Sequence, residues 1–207
     1  MGTLLPEEQA TKETYDKLAS AWVGSHNTDA FWKDEMQTFH KYLKQGAILE
    51  IGAGGGRDAK ELVELGYSYV GTDVSSGLLD IARKEMPDQE FYEQSVHDLH
   101  FPEREKFDGF WASAVLLHVP KSRIDEALQQ IKKVVKPGGV GFISLQNGDG
   151  EKSRINELHG QQLERWFAYW RKDEFTEVLE RNAYKVLEYI NHPFEGKDKW
   201  HCFFVQC

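Results

Sequence analysis

The sequence is poor in most of the features that would take it outside the ordinary globular class. Cys202 and Cys207 are its only cysteines. Five positions along one predicted strand hold them too far apart for a mutual disulfide, so they read as packing thiols. No stretch approaches the ~18 apolar residues that cross a bilayer. The Met1 end also lacks the apolar core of a signal peptide. The expectation is a cytoplasmic protein with no membrane partner. Positive charge is scarce: 25 Lys and Arg stand against 34 Asp and Glu, a net charge of −9. With no basic run, nothing is positioned to release counterions from a phosphate backbone, and a nucleic-acid partner is excluded. No Pro- or Gly-rich linker interrupts the 207 residues, and 40% hydrophobic content suffices for one core. One domain over 1–207 is therefore expected, as a monomer or weak homodimer.

What the chain does have is concentrated at 47–73, AILEIGAGGGRDAKELVELGYSYVGTD. This joins a buried strand, a glycine-rich turn, a helix and a second strand ending in a carboxylate. Gly52, Gly54 and Gly56 remove side chains where backbone must approach a ligand, and Asp73 can accept hydrogen bonds from ribose hydroxyls. Asp73 follows Gly52 by 21 residues, near the ~20 expected of such a carboxylate. A dinucleotide fingerprint needs a further glycine where Arg57 stands, so the turn is G-x-G-x-G, which argues against a nicotinamide oxidoreductase.

After residue 46, strand and helix signals alternate, the pattern of an α/β doubly wound sheet. Strands are predicted at about 47–52, 68–73, 90–95, 107–114, 139–145, 184–191 and 200–206. Helices are predicted at about 57–66, 76–86, 122–135 and 171–182. Before residue 46, Tyr15, Leu18, Ala19 and Trp22 form one helical stripe, and Trp32, Met36, Phe39 and Leu43 another.

Five segments in order, ILEIGAGGG (48–56), VGTDVSSGLLDIARKE (70–85), FYEQSVHDLHF (91–101), FDGFWASAVLLHVP (107–120) and IKKVVKPGGVGFISL (131–145), resemble the class I S-adenosylmethionine-dependent methyltransferases. The resemblance implies a Rossmann-like, seven-stranded, mostly parallel sheet with an antiparallel C-terminal hairpin and an N-terminal helical cap. It divides the domain into a cap at 1–46, a cofactor core at 47–145, a substrate lid at 146–170 and a C-terminal helix and hairpin at 171–207. The implied cofactor is S-adenosylmethionine, leaving as S-adenosylhomocysteine. Glu50 then lies near the methionine amino group, and the Gly52-Ala53-Gly54 turn and Gly56 beside the amino-acid portion. Arg57 either reaches the carboxylate or is a solvated first-turn residue. Asp73 takes the ribose and Val74 packs on adenine. The resemblance usually has an Asp where Ser95 stands, so either Ser95 or Asp98 reads adenine, with Val96 offering its NH. Ala112, Ser113 and Leu117 floor the pocket or simply pack. Tyr15, in a Tyr-Asp pair, folds over the cofactor, or the two N-terminal helices merely cover the sheet.

The acceptor is less legible. The Asn/Asp-Pro-Pro-Tyr stretch of adenine and glutamine methylation is replaced by Ala112-Ser113-Ala114-Val115, and both cysteines are remote from any cytosine chemistry. A small-molecule methyl acceptor at O, N or S is expected. A protein or peptide acceptor, or a catalytically inactive regulator that binds the cofactor, is the alternative. In the lid, Arg165, Trp166, Phe167, Tyr169 and Trp170 either wall the acceptor pocket or anchor the lid. Trp22, Trp166, Tyr169, His118 and His159 are the candidate substrate contacts. His118 and His159 are the candidates for general base, against a structural histidine bonded to backbone. No metal site is expected, because His97, Asp98 and His100 belong to the adenine segment.

Overall fold

Runs such as AILEI and FWA have no polar face to give to solvent, so they form strands covered on both sides. In the computed structural model, Ile48, Leu49, Phe110 and Trp111 are fully buried. It describes residues 3–26, 31–158, 160–194 and 197–207. The chain opens with α1 (Pro6–His26) and α2 (Lys33–Tyr42). It continues through β1 (Ala47–Ile51), α3 (Arg57–Glu64), β2 (Ser68–Asp73), α4 (Ser76–Glu85), β3 (Glu90–Glu93), β4 (Phe107–Ala112), α5 (Ile124–Val134) and β5 (Val135–Gln146). Then come β6 (Glu151–Leu158), β7 (Gln161–Ala168), α6 (Lys172–Arg181), β8 (Lys185–Phe194) and β9 (Lys197–Gln206).

Seven strands form one sheet in the order β3-β2-β1-β4-β5-β9-β8. The first five are parallel, and β9 runs antiparallel between β5 and β8. This is the expected mostly parallel sheet with a C-terminal hairpin. Its winding reverses between β1 and β4, and the crevice outside the carboxyl ends of strands at such a point is where ligands of open α/β sheets bind.

The structure adds a second sheet. The segment expected to be a polar lid is an antiparallel hairpin of β6 and β7, paired from Glu151↔Ala168 to Leu158↔Gln161. β6 has no apolar face, and in β7 Arg165 interrupts the apolar alternation of Leu163 and Phe167, so a sequence reading finds no clear strand signal. The predicted helix at 122–135 ends at Val134, and Pro137-Gly138-Gly139 forms an irregularity inside the longer β5 rather than its approach, with the register jumping between Phe107 and Gly109 on the facing strand.

The two N-terminal helices do different things. α2 covers the sheet: Phe39 meets Trp111 edge-on at 5.5 Å, and Trp32 meets Phe142 at 5.8 Å. α1 instead crosses the carboxyl edge, kinked at Leu18. Asp16 docks it there, its Oδ1 accepting from the Ser75 hydroxyl (2.7 Å) and the Gly77 NH (3.1 Å). That places a carboxylate at the N-terminus of α4, where free NH groups and the helix dipole favour it. The hairpin closes on the other side of α1, through Trp166 NH to Thr11 Oγ1 (2.9 Å) and Thr14 Oγ1 to the Glu164 carbonyl (2.7 Å).

Candidate active site

Between the strand ends and α1 lies a cleft. Its wall includes Glu50, Gly52, Ala53, Gly54, Gly55, Arg57 and Asp58 from the first strand-turn-helix, and Asp73 and Val74 from the end of β2. Ser95, Val96 and His97 follow β3, Ser113 to Val115 and His118 follow β4, and Tyr15, Trp22, Val23 and His26 come from α1.

The glycine turn explains itself in two ways. A Cβ on Gly52 would sit 2.5 Å from a Val115 methyl, and one on Gly55 2.5 Å from a Val23 methyl, so these glycines let neighbouring wall segments close in. Gly54, at φ +55°, faces open space and leaves backbone bare to the cleft. Its NH donates to Asp73 Oδ2 at 2.9 Å, and Ser75 NH donates to Oδ1 at 2.8 Å. Burial raises the Asp73 pKa against the pull of those NH groups. The Val74 NH also bears on this carboxylate, which keeps a lone pair for a further donor.

Three carboxylates meet here. Glu50 is buried in β1 and accepts from the Tyr69 hydroxyl; burial and then the charge of Asp58 hold its pKa well above the ordinary range. Asp58, in the first turn of α3, accepts from Trp111 Nε1 (3.0 Å), Ser113 Oγ (2.5 Å) and Arg57 Nε (2.6 Å). Sequence reasoning missed Asp58. Its available signal was position, an acid in the first turn of a helix that begins directly on the glycine turn.

Of the other expected contacts, Gly56 packs on Ala82, and Ala112 and Leu117 are sealed in the core. Asp98 is exposed away from the wall, while the Ser95 hydroxyl accepts from His97 NH (3.2 Å) within it. Tyr169 and Trp166 are off the wall: alternation along β7 puts Trp166 on the face opposite Arg165 and Phe167, and Tyr169, just past the end of β7, accepts from Arg154 (3.2 Å). His159 lies outside the described residues.

The bonds of His118 match the structural alternative, a histidine bonded to backbone. Nδ1 lies 2.6 Å from the Trp166 carbonyl, which can only accept, so Nδ1 carries the proton. Nε2 then accepts from the Tyr15 hydroxyl at 3.0 Å. Both nitrogens are occupied, and Tyr15 is held by His118 and by Arg165 Nη1 (3.1 Å). Burial pushes the His118 pKa down to about 3, opposed by the carbonyl and aided by Arg165.

A second buried histidine ties α1 to the sheet. His97 Nε2 donates to Glu8 Oε1 (2.7 Å), and Glu8 Oε2 takes Arg123 (2.6 Å). Burial alone would raise the Glu8 pKa, but these partners outweigh it and hold it below the ordinary value. Both groups make the fold acid-labile. In the unfolded chain His118 gains a proton below about 6.5 that the folded chain refuses until about pH 3. Its contribution is complete above pH 6.5 and is lost as pH falls; that of Glu8 is lost lower, through its depressed pKa. Urea midpoints should therefore fall between pH 7 and 4, and His118→Phe should flatten that slope. An unflattened slope would show that His118 is not held neutral.

Residues 49–143 match the model of the methyltransferase domain family. An uncharacterized methyltransferase of Alkaliphilus oremlandii is 24% identical over 86% of this chain and 84% of its own length. The ubiquinone biosynthesis O-methyltransferase of Dinoroseobacter shibae is 30% identical over 68% of this chain and 60% of its own. In fold, the chain is similar to the 1,6-didemethyltoxoflavin-N1-methyltransferase of Burkholderia thailandensis, solved with its acceptor and S-adenosylhomocysteine. There the TM-score is 0.74 at 21% identity, covering 100% of this chain and 92% of that one. The strand order, the glycine turn at the switch point and these likenesses agree in supporting a class I S-adenosylmethionine-dependent methyltransferase.

Proposed function

We propose that this protein transfers the methyl group of S-adenosylmethionine to an O, N or S atom of a small-molecule acceptor, within a single domain over 1–207. The observation that carries the reading is the cleft's donor set. Glu50, Asp58 and Asp73 face it against one wall arginine, Arg57, which already pairs with Asp58. That excess of carboxylate suits a ligand bearing an ammonium and a sulfonium, and the bare backbone at Gly54 fits its close approach. The Burkholderia enzyme holds a small heteroaromatic acceptor and the Dinoroseobacter relative is named for ubiquinone biosynthesis, which supports a small molecule.

When bound, S-adenosylmethionine supplies an electrophilic sulfonium methyl. The chain's residues then do the positioning. Asp73 offers its remaining lone pair to the ribose hydroxyls, Val74 and Val96 flank the adenine, and Glu50 attracts the ammonium. Ser95 serves adenine through its buried segment rather than Asp98. Tyr15, Trp22 and His26 exclude water from above. His118 and Arg165 fix the Tyr15 ring, so His118 is a positioning residue. Alignment of donor and acceptor supplies most of the rate, up to ~7–11 kcal/mol at the extreme.

Calorimetry with S-adenosylhomocysteine tests this, with micromolar one-to-one binding expected and no binding of a nicotinamide dinucleotide. Hydrogen exchange should show α1 and the β6-β7 hairpin gaining protection together, since Thr11 and Thr14 join them. Protection unchanged in both would make the roof a fixed cover.

A further inference from the structure

Arg165 is a buried cation without a counter-ion. It lies on β7 at 7% exposure. Its guanidinium sits 4.6 Å from the Trp22 ring, 5.2 Å from Phe167 and 5.6 Å from Tyr15. Nη1 donates to the Tyr15 hydroxyl at 3.1 Å, while Nε is buried with no partner. Among the described residues no carboxylate lies within ion-pair distance of it, whereas Arg57 pairs with Asp58, Arg104 with Glu90, and Arg123 with Glu8 and Glu126.

Burying a guanidinium costs several kcal/mol unless charge or hydrogen bonds compensate. Stacking on aromatic faces recovers part of this. Tyr15 gives no negative charge, because burial raises its pKa and keeps its hydroxyl neutral. The positive field is felt in the cleft: Arg165 adds to burial in lowering the pKa of His118 and of His26, both on the wall. The strand-end face of the cleft is thus acidic, and Arg165 packs directly behind Tyr15 and Trp22 of the opposite wall. The cofactor's own carboxylate already has a candidate in Arg57, beside the glycine turn.

We propose that Arg165 anchors the acceptor, and that the acceptor therefore carries an oxyanion, a carboxylate or a phosphate-type group, held under the roof built by Tyr15 and Trp22. This rests on the methyltransferase reading of the cleft and narrows its substrate class. Planar guanidinium geometry favours two parallel hydrogen bonds to such a group. The aromatic walls exclude the water that would compete for them.

The test titrates inorganic phosphate and, separately, benzoate into the protein with and without S-adenosylhomocysteine. Binding is followed by calorimetry and by the emission of Trp22 and its neighbours. Wild-type protein is expected to bind at least one anion. Arg165→Gln should weaken that binding by about tenfold or more, the loss of one charge-assisted contact, and by more than it weakens S-adenosylhomocysteine affinity, which feels Arg165 only through Tyr15. Preference for benzoate or phosphate assigns the acceptor group. If neither anion binds wild-type protein, or if Arg165→Gln binds it unchanged, the proposal is overturned. It is also overturned if Arg165→Gln loses about tenfold in S-adenosylhomocysteine affinity instead, since the arginine then serves the cofactor. Should Arg165→Gln fail to fold, Arg165→Lys decides. That variant keeps the charge and loses the fork, so weaker anion binding supports the anchor and unchanged binding overturns it. Failure of wild-type protein to bind S-adenosylhomocysteine would overturn the methyltransferase reading separately, because the anion arm is also read without it.

Discussion

Asp73→Ala should weaken S-adenosylhomocysteine binding by about 30-fold or more, equivalent to roughly 2–4 kcal/mol for two charge-assisted acceptors removed from a buried site. The structure adds a second consequence. Asp73 also holds the NH groups of Gly54 and Ser75, at 2.9 and 2.8 Å. The substitution strands both donors, at roughly 1–3 kcal/mol each where water cannot reach them. Affinity and melting temperature should therefore fall together, the turn loosening as the ribose contact is lost. Gly54 would no longer be held across from the end of β2. Calorimetry and thermal melts read the two effects independently. A dissociation constant unchanged from wild type would remove Asp73 from the ribose role, even if the variant melted early.

Asp58→Ala should produce the largest loss of stability among the substitutions considered. The carboxylate gathers the Trp111 indole NH, the Ser113 hydroxyl and the Arg57 guanidinium, and it is 5% exposed. Removing it strands two buried donors and leaves the partly buried Arg57 guanidinium unpaired, a change that typically costs about 3–5 kcal/mol. For a chain of this length that is roughly 6–20 °C in Tm. Asp58→Asn keeps one acceptor and should lose less than half as much. The pKa of Glu50, raised first by burial and then by the charge of Asp58, should drop in either variant. A Tm within about 2 °C of wild type for Asp58→Ala would mean that water or rearrangement replaces the network, and that Asp58 does not organise the glycine turn.

The parts of the site that were legible in the sequence are those whose chemistry is local. The G-x-G-x-G turn between a strand and a helix, and an acid at the tip of the next strand, lie within 27 residues, and short-range geometry places them together on any open sheet. Tyr15 and Trp22 could be grouped because helical periodicity puts them on one face, where their rings meet edge-on at 5.2 Å. Asp58 was not legible, because its partners Trp111 and Ser113 stand more than 50 positions away and come into range only through the parallel pairing of β1 with β4. The bonding of His118 was not legible for a related reason. Apolar neighbours in its own segment announced a neutral ring, but the Trp166 carbonyl and the Tyr15 hydroxyl that occupy its nitrogens come from β7 and α1.

By itself, the sequence determined the α/β class, the seven strands of the main sheet and the family resemblance, since apolar runs, turn glycines and strand-end acids act over a few residues and survive any tertiary context. Only the tertiary structure decided the roof of the cleft. The β6-β7 hairpin carries too little hydrophobic alternation to announce itself, and it is held against α1 by hydrogen bonds spanning about 150 residues. The burial of Arg165 among aromatic rings, without a carboxylate beside it, is a product of that long-range docking. Side-chain charge can be read from a sequence, but desolvation depends on what the rest of the chain packs around it.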